Sequence, residues 1–135
     1  MSTILLEIVT PERLLLSQEA TIVNVVGTEG AMGILPGHAH LLAALAIDPL
    51  RWQTEDGEEH RAAICGGFME VTPSKVSILA ESAELAGEID KSRCEAAAKR
   101  AQERIKEAGS GAVEIDTARA ERSLQRAVTR LKVLD

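Results

Sequence analysis

The spacing of apolar residues changes at Asp90, and this change divides the chain into two parts that must fold differently. From Ile4 to Ala80, short apolar runs alternate with turn residues, which is the pattern of β-strands. After Asp90, apolar residues recur at the 3.6-residue spacing of an α-helix. The sequence therefore predicts a β domain at residues 1–86 and a helical domain at residues 87–135.

The β part contains signals for seven or more strands and none for an intervening helix. The predicted strands are Ile4–Val9, Leu14–Leu16, Thr21–Val26, Arg51–Thr54, His60–Ile64, Phe68–Val71 and Lys75–Ala80. Leu41–Ile47 could be helical by propensity, but Pro49 and the surrounding strands favour extended structure. Asp56-Gly57 is a strong hairpin signal. A run of strands of this kind folds as a sandwich or a barrel.

The stretch Gly27–Leu45 is rich in glycine and predicts a loop between two apolar strands. Pro36-Gly37 is a favourable turn pair, because proline fixes φ and glycine accepts a positive φ. The loop is either an ordinary turn of the β domain or a docking loop at which backbone meets another surface. His38 and His40 would project to one side of a strand, but no third metal ligand is apparent, so a metal site is not expected.

The helical part predicts two antiparallel helices. The first carries its small apolar residues on one stripe and ends at residues 109–111; the second starts at about Asp116. The stripes are Cys94, Ala97, Ala98, Ala101, Ile105 and Ala108, then Ala120, Leu124, Ala127, Val128, Leu131 and Leu134. Asp90 and Asp116 each fit an N-cap within an Ile-Asp-x-x-Arg box, the second box running from Ile115 to Arg119. Because alanine buries little area, the hairpin needs the β domain or a partner, and it could adopt more than one docked position.

Composition excludes several classes of function. Trp52 and Phe68 are the only aromatic residues, too few for stacking on nucleic acid. The apolar runs are too short to span a bilayer, and the start of the chain lacks the basic region of a signal peptide. Cys65 and Cys94 form no metal or redox motif, which indicates two buried thiols in a reducing compartment. The sequence has no nucleophile elbow and no phosphate-binding loop, so an enzyme is the least supported class.

Charge is divided between the two parts. Residues 1–89 carry four basic and thirteen acidic residues, a net charge of −9, whereas residues 90–135 carry eleven basic and eight acidic residues, a net charge of +3. On helical wheels the arginines form two rows, which are expected on the same face of the hairpin: Arg93, Arg100 and Arg104, then Arg119, Arg122, Arg126 and Arg130. Such a face could bind phosphate or carboxylate groups, or it could be a solvated face with Glu103, Glu107 and Glu121 as counter-charges.

Three sequence runs resemble the epsilon subunit of the F-type ATP synthase, and the likeness covers essentially the whole chain. They are G-x-x-G-I-L-P-G-H-A at 30–39, GGFMEV at 66–71 and EIDKSRCEAAAKRA at 88–101. The resemblance implies an α+β fold, in which an N-terminal flattened antiparallel β-sandwich is followed by a C-terminal antiparallel two-helix hairpin. It also implies a non-catalytic rotor subunit of the central stalk, which links the gamma subunit to the membrane rotor ring. The helices would then inhibit ATP hydrolysis by meeting acidic loops of the catalytic head.

The same resemblance implies a location and specific contacts. The subunit would lie at the cytoplasmic side of the inner (plasma) membrane as a peripheral part of the complex, with no membrane insertion and no nucleic acid. The residues facing the ring would be Glu29, Gly30, Ala31 and Met32, and His38 would lie near the gamma subunit. His40 stands where the family most often has proline, a departure at that contact.

Several members of this family bind ATP through an I/L-D-x-x-R-A motif, an upstream glutamate and arginines of both helices. The corresponding residues here are Glu84, Ile89, Asp90, Arg93, Arg100, Arg126 and Arg130. Cys94 stands where the motif has alanine, so weak or absent ATP binding is expected, and no cofactor is required. The alternative function is an ATP-binding sensor module with an arginine-lined nucleotide site.

Overall fold

The computed structural model describes residues 2–110 and 116–135. In these residues the chain forms ten β-strands, a short 3-10 helix and two α-helices. The strands are β1 (Ile4–Val9), β2 (Leu14–Ala20), β3 (Ile22–Gly27), β4 (Gly30–Ile34), β5 (Leu41–Ala44), β6 (Ile47–Gln53), β7 (Glu59–Cys65), β8 (Gly67–Val71), β9 (Lys75–Ala80) and β10 (Ala83–Leu85). The 3-10 helix is Ala86–Glu88, and the α-helices are α1 (Lys91–Ser110) and α2 (Thr117–Val133).

The strands form two five-stranded sheets that pack face to face, which confirms the predicted sandwich. The first sheet has the order β2-β1-β9-β8-β5 and the second β10-β7-β6-β3-β4. All pairs are antiparallel except β1 with β9, which run parallel. Alternation explains the packing: Ile4, Leu6 and Ile8 of β1 are fully buried, while the residues between them are half-buried. The core between the sheets is built from residues of the strands together with Leu45, which directly follows β5.

The glycine-rich stretch is more regular than the sequence suggested. Strand β4, which the sequence analysis did not predict, lies within Gly27–Leu45 and pairs with β3 from Val23–Ile34 to Gly27–Gly30. Strand β5 confirms the extended structure that was favoured for Leu41–Ile47. Glycine disfavours strands locally, but ladder hydrogen bonds to a neighbouring strand override that preference. Gly30 and Gly37 adopt positive φ, whereas Gly33 does not, so only the first two need glycine for their backbone conformation.

Three further strand assignments were incomplete. Strand β6 begins at Ile47, four residues before the predicted start at Arg51. β2 continues to Ala20, well beyond the predicted end at Leu16. The strand β10 was missed, because three residues are too short for a periodic signal; it is stabilised by pairing with β7.

The two α-helices pack against each other, and α2 also packs against β6 and β7. Every residue of the two predicted stripes is buried or half-buried, as expected. Thr129 and Val133 are buried as well, which the single-stripe prediction missed, because α2 has a second buried side toward the sandwich.

Both predicted N-caps are present. The side chains of Asp90 and Asp116 accept hydrogen bonds from the backbone N–H of Arg93 and Arg119, each at 3.1 Å. Helix α1 continues through Gly109 to Ser110, so Gly109 lies in the last turn and does not cap the helix. Gly111 and Ile115, which were predicted to belong to the link and the second box, lie outside the described residues.

Candidate functional site

Residues 86–90, which connect β10 to α1, are called the linker here. A cavity with a volume of about 310 Å³ lies where the linker meets the two helices. Its lining combines three acids, three arginines and two small residues: Glu84, Glu88, Asp90, Arg93, Cys94, Ala97, Arg100 and Arg130. Strand β10 supplies Glu84, the N-terminus of α1 supplies Asp90 and Arg93, and the last turns of α2 supply Arg130. The site therefore forms only when the hairpin is docked on the sandwich.

Some charged groups of this cavity already have an ion-pair or hydrogen-bond partner, and for others none is recorded in the described part of the chain. Arg130 forms an ion pair with Glu84, with 2.5 Å between Nε and Oε1. Asp90 is engaged as the cap of α1. Among the described residues no ion pair is recorded for Arg93 or Arg100, and both are exposed. These two guanidinium groups can bind an anion without first breaking an ion pair with a carboxylate.

Glu88 fixes the linker beside the cavity. Its carboxylate accepts a hydrogen bond from Arg13 Nη2 at 2.5 Å and another from the backbone N–H of Leu85 at 3.1 Å. These two bonds, the first the larger influence, lower the pKa of Glu88 below its ordinary value. The 3-10 helix is thereby attached to the turn between β1 and β2.

Cys94 forms the inner wall of the cavity and is buried. Burial raises the pKa of its thiol, because a thiolate removed from water is disfavoured. Cys65 is the second free thiol and is also buried, as the sequence predicted. The substitution of cysteine for the alanine of the motif therefore adds a neutral, slightly larger group to the cavity wall.

The structure brings together five of the seven residues that the resemblance implies for ATP: Glu84, Asp90, Arg93, Arg100 and Arg130. It does not bring Ile89 or Arg126 to this cavity. Arg126 donates to Ser123 Oγ at 3.0 Å and lines a different cavity between α2 and the sandwich. Of the seven arginines expected on one face, the cavity thus collects one from α2 and two from α1.

The residues that the resemblance assigns to the rotor ring lie at one end of the sandwich. Glu29 is in the turn between β3 and β4, and Gly30, Ala31 and Met32 begin β4. They line a cleft of about 390 Å³ between β4 and β5, which are the edge strands of the two sheets. His38 lies in the connection from β4 to β5, half-buried, with Nδ1 at 2.7 Å from the backbone oxygen of Ala39.

An apolar row crosses the outer face of the first sheet, and the sequence analysis missed it. The row follows the strand pairing from edge to edge: Leu14, Val9, Leu79, Phe68 and Ala44. Leu14, Leu79 and Phe68 are 50–58% exposed, although directly paired residues on one sheet face can cover each other. Each lies at an outward position of its strand, but only the pairing register reveals that they align. We call this set the apolar row.

The described residues show neither a cluster of metal ligands nor a membrane-spanning helix. They contain no group of three histidine, cysteine or acidic side chains arranged to hold a metal ion. Within them, neither helix is both long enough and apolar enough to cross a membrane.

Two family models match consecutive parts of this chain. The family model for the ATP synthase delta/epsilon chain β-sandwich domain matches residues 3–86, and that for the long α-helix domain of the same chain matches residues 88–135. The ATP synthase epsilon chain of Brevibacillus brevis is 47% identical over 79% of this chain and 81% of its own. That of Syntrophomonas wolfei is 49% identical over 78% and 77%.

Solved structures share the fold. A chain in the mitochondrial ATP synthase of Euglena gracilis, in an assembly described as OSCP/F1/c-ring, superposes with a TM-score of 0.83 at 24% identity, covering 98% of this chain and 82% of that one. A chain from the central stalk and c-ring of the Tetrahymena thermophila enzyme gives a TM-score of 0.58 at 14% identity, covering 99% and 98%. Since both family models match consecutively and the curated relatives exceed 30% identity, this chain belongs to the ATP synthase delta/epsilon chain family.

Proposed function

We propose that this chain is a non-catalytic rotor subunit of a proton-driven F-type ATP synthase. Its sandwich would join the gamma subunit to the membrane rotor ring, and its hairpin would restrain ATP hydrolysis. The subunit would lie peripherally at the cytoplasmic side of the inner membrane as part of the complex. The observation that carries the proposal is the apolar row on the sheet opposite to the one that holds α2.

The apolar row has the properties of a protein interface. It places three large, exposed apolar side chains in line across five strands, and one of them, Phe68, is one of only two aromatic residues in the chain. Contiguous exposed apolar surface on a small domain marks an interaction site. We assign this surface to the gamma subunit, while the cleft beside Glu29 at the end of the sandwich remains for the ring.

Substitution of the apolar row tests this assignment. The pair Phe68→Ser and Leu79→Ser should reduce co-purification of the subunit with the ATPase complex by at least ten-fold, since two aligned anchors are lost. Both side chains are half exposed or more, so the sandwich should keep its fold and its melting temperature within a few degrees. Glu70→Ser is the matched control, because Glu70 lies on the same face of β8 in a polar position. Undiminished assembly of the double variant would refute the assignment.

The hairpin is suited to a regulatory role because its attachment to the sandwich is limited. Helix α2 covers small residues of β7, including Ala63 and Cys65, and small side chains bury little area per residue. The hairpin carries a net charge of +3 against −9 on the preceding residues, so it could also meet acidic surfaces of the catalytic head. Both features support a docked form that can be exchanged for another position.

Truncation tests the regulatory role. An assembly whose subunit lacks the residues after Asp90 should hydrolyse ATP faster than the assembly with the full chain. The comparison should be made at equal subunit occupancy, because loss of the subunit itself would also change the rate. Equal rates for the two assemblies would argue against inhibition by the hairpin.

The cavity beside the linker favours a second function, in which ATP acts as a weak regulatory ligand. Arg93 and Arg100 have no recorded ion-pair partner among the described residues and could hold phosphate groups. The volume of about 310 Å³ is at the lower end of the range of roughly 300–1,000 Å³ for small-molecule sites. Only part of the nucleotide would fit the docked form, which supports weak binding.

Calorimetric titration of the isolated chain with ATP tests this second function. We expect no binding stronger than the millimolar range, and any binding that occurs should be lost in Arg93→Ala. Arg104→Ala is the control, because Arg104 belongs to the same row of α1 but does not line the cavity. Micromolar affinity would overturn the expectation.

A further inference from the structure

Helix α2 contacts the sandwich unevenly along its length. The side of α2 that faces the sheet carries Arg122, Arg126, Thr129 and Val133, at spacings of four, three and four residues. Thr129 and Val133 are 2% and 3% exposed. Arg122 and Arg126 instead line a cavity of about 520 Å³, whose opposite wall includes Cys65 of β7. The second half of α2 is therefore in close contact, whereas a cavity separates its first half from the sheet.

The polar contacts between α2 and the sandwich show the same asymmetry. Thr129 Oγ1 donates to the backbone oxygen of Ile47 at 3.2 Å, and Arg130 pairs with Glu84 at 2.5 Å. Just beyond the helix, Arg61 Nη1 donates to the backbone oxygen of Asp135. Among the described residues, Arg122 and Arg126 form no recorded hydrogen bond or ion pair with the sandwich. All three contacts thus lie in the last two turns of α2 or at Asp135, the second residue after the helix.

The acceptor used by Thr129 lies where a sheet ladder is interrupted. The pairing of β3 with β6 covers Arg51–Gln53 and ends at the Asn24–Arg51 pair, so Ile47 lies outside it. Pro49, between these positions, has no N–H to donate. A carbonyl beyond the end of a ladder is open to a side-chain donor, and a buried hydroxyl without such a partner would be unfavourable.

We propose that Thr129 is the positioning residue of the docked hairpin, and that the last two turns of α2 are the anchor from which the rest of the hairpin separates. The docked register is set by the hydrogen bond from Thr129, because its hydroxyl reaches the backbone oxygen of Ile47 in one position only. Separation of α2 from the sheet begins at the N-terminal end of the helix, next to Asp116, where the cavity already lies. The anchor is released last. This mechanism rests on the proposed exchange of the hairpin between positions and describes how that exchange is controlled.

The accessibility of Cys65 measures the separation directly. Cys65 is 5% exposed at the wall of the cavity beneath α2, so a bulky disulfide reagent such as DTNB should react with it slowly while α2 is docked and faster once α2 moves away. The assay uses the isolated full chain with Cys94→Ala, which leaves Cys65 as the sole thiol. Thr129→Val keeps the shape of the side chain and removes the donor; we expect labelling about ten-fold faster or more. Thr129→Ser restores the hydroxyl and should bring the rate close to that of the parent.

Two controls separate anchoring from general loosening. Thr117→Val makes the same chemical change at an exposed position of α2 and should leave labelling unchanged. Arg122→Lys alters the half of the helix that faces the cavity but keeps a long side chain at the cavity wall, so it should change labelling by less than two-fold. Arg61→Gln weakens the anchor without entering the core, so it should accelerate labelling even if Thr129→Val proves too unstable to purify.

The proposal is overturned if Thr129→Val labels at the parental rate, if Thr129→Ser is as fast as Thr129→Val, or if Arg122→Lys is as fast as Thr129→Val. It is also overturned if labelling of the parent requires unfolding of the whole sandwich, as judged by an equal dependence on urea. Because the measurement contains no ATPase, it can fail while truncation still raises hydrolysis. Likewise, truncation can leave hydrolysis unchanged while the labelling rates still support the anchor.

Discussion

At the scale of single residues, Gly67 shows most clearly how backbone geometry limits the sequence. It begins β8 with a φ of +117°, and a Cβ at this position would lie 2.1 Å from the carbonyl oxygen of Leu79. The neighbouring strand β9 therefore occupies the space that a side chain would need. Glycine is required here both for its conformation and for the close approach of two strands.

We expect Gly67→Ala to lower the free energy of unfolding by at least about 2 kcal/mol, because a strained φ and a clash with backbone act together. Urea unfolding followed by circular dichroism gives the value. Gly109→Ala is the control: its Cβ would meet nothing within 4 Å, and alanine in a helix should stabilise by about 0.5–1 kcal/mol. Equal stability of the Gly67 variant and the parent would contradict this account.

The contact between Glu88 and Arg13 predicts a dependence on pH. Because folding lowers the pKa of Glu88, its contribution to stability is present above the ordinary value of 4.5 and is lost as the pH falls through the folded pKa. Both side chains are partly exposed, so the contribution at neutral pH should be about 1 kcal/mol or less.

Glu88→Gln should therefore be less stable than the parent at pH 7, and the difference should shrink toward zero in acid. Thermal melts across this pH range measure it. Glu55→Gln, at an exposed turn position, should show no such convergence. A difference that stays constant down to acid pH would mean that the charge of Glu88 is not the cause.

At the scale of elements, α2 holds the helical part together because it has two buried sides. One side faces α1 and the other faces β6 and β7, whereas α1 packs chiefly on α2. The start of α2 is set by Asp116, whose side chain accepts from the N–H of Arg119. Since the first half of α2 lies over a cavity, this cap should matter more than it would in a fully packed helix.

Asp116→Ala should destabilise the start of α2 by about 1 kcal/mol, the usual cost of losing an N-cap. Hydrogen exchange of the amides in the first turns of α2 should become about five-fold faster, with little change in the strands. Thr117→Ala, at the next exposed position, should have a much smaller effect. Unchanged exchange in Asp116→Ala would show that packing alone defines this end of the helix.

At the scale of the whole molecule, the main hydrophobic core is formed by the sandwich, and the hairpin contributes no residue to it. Each residue of the main cluster, from Ile4 to Ala83, belongs to a strand or to a strand's immediate neighbour, and none lies in a helix. Removal of the helices would expose mainly the outer face of β6 and β7. That face carries small side chains such as Ala63 and Cys65, so little apolar surface would become exposed to water.

Residues 1–86 produced alone should therefore fold. We expect β-type circular dichroism, a cooperative melt and fast labelling of Cys65, which α2 no longer covers. The full chain serves as the reference under the same conditions. A molten or aggregated fragment would contradict the domain boundary at residue 86.

Local patterns in the sequence determined most of the architecture. Alternation of apolar residues predicted the strands, because each strand of a sandwich has one buried face, and the 3.6-residue spacing after Asp90 predicted the helices and their shared seam. Caps and turn pairs such as Asp116 and Asp56-Gly57 were also visible, since they act within a few residues.

Features that depend on distant partners were decided only by the tertiary structure. Strands β4 and β10 exist because neighbouring strands pair with them. The apolar row depends on the register of five strands, and the cavity collects Arg130, but not Arg126, through the docked position of α2. Thr129 is buried because α2 meets the sheet, and no local pattern distinguishes it from a surface threonine. Periodicity reports which face of an element is apolar, whereas the partner of that face is set by the packing of the whole chain.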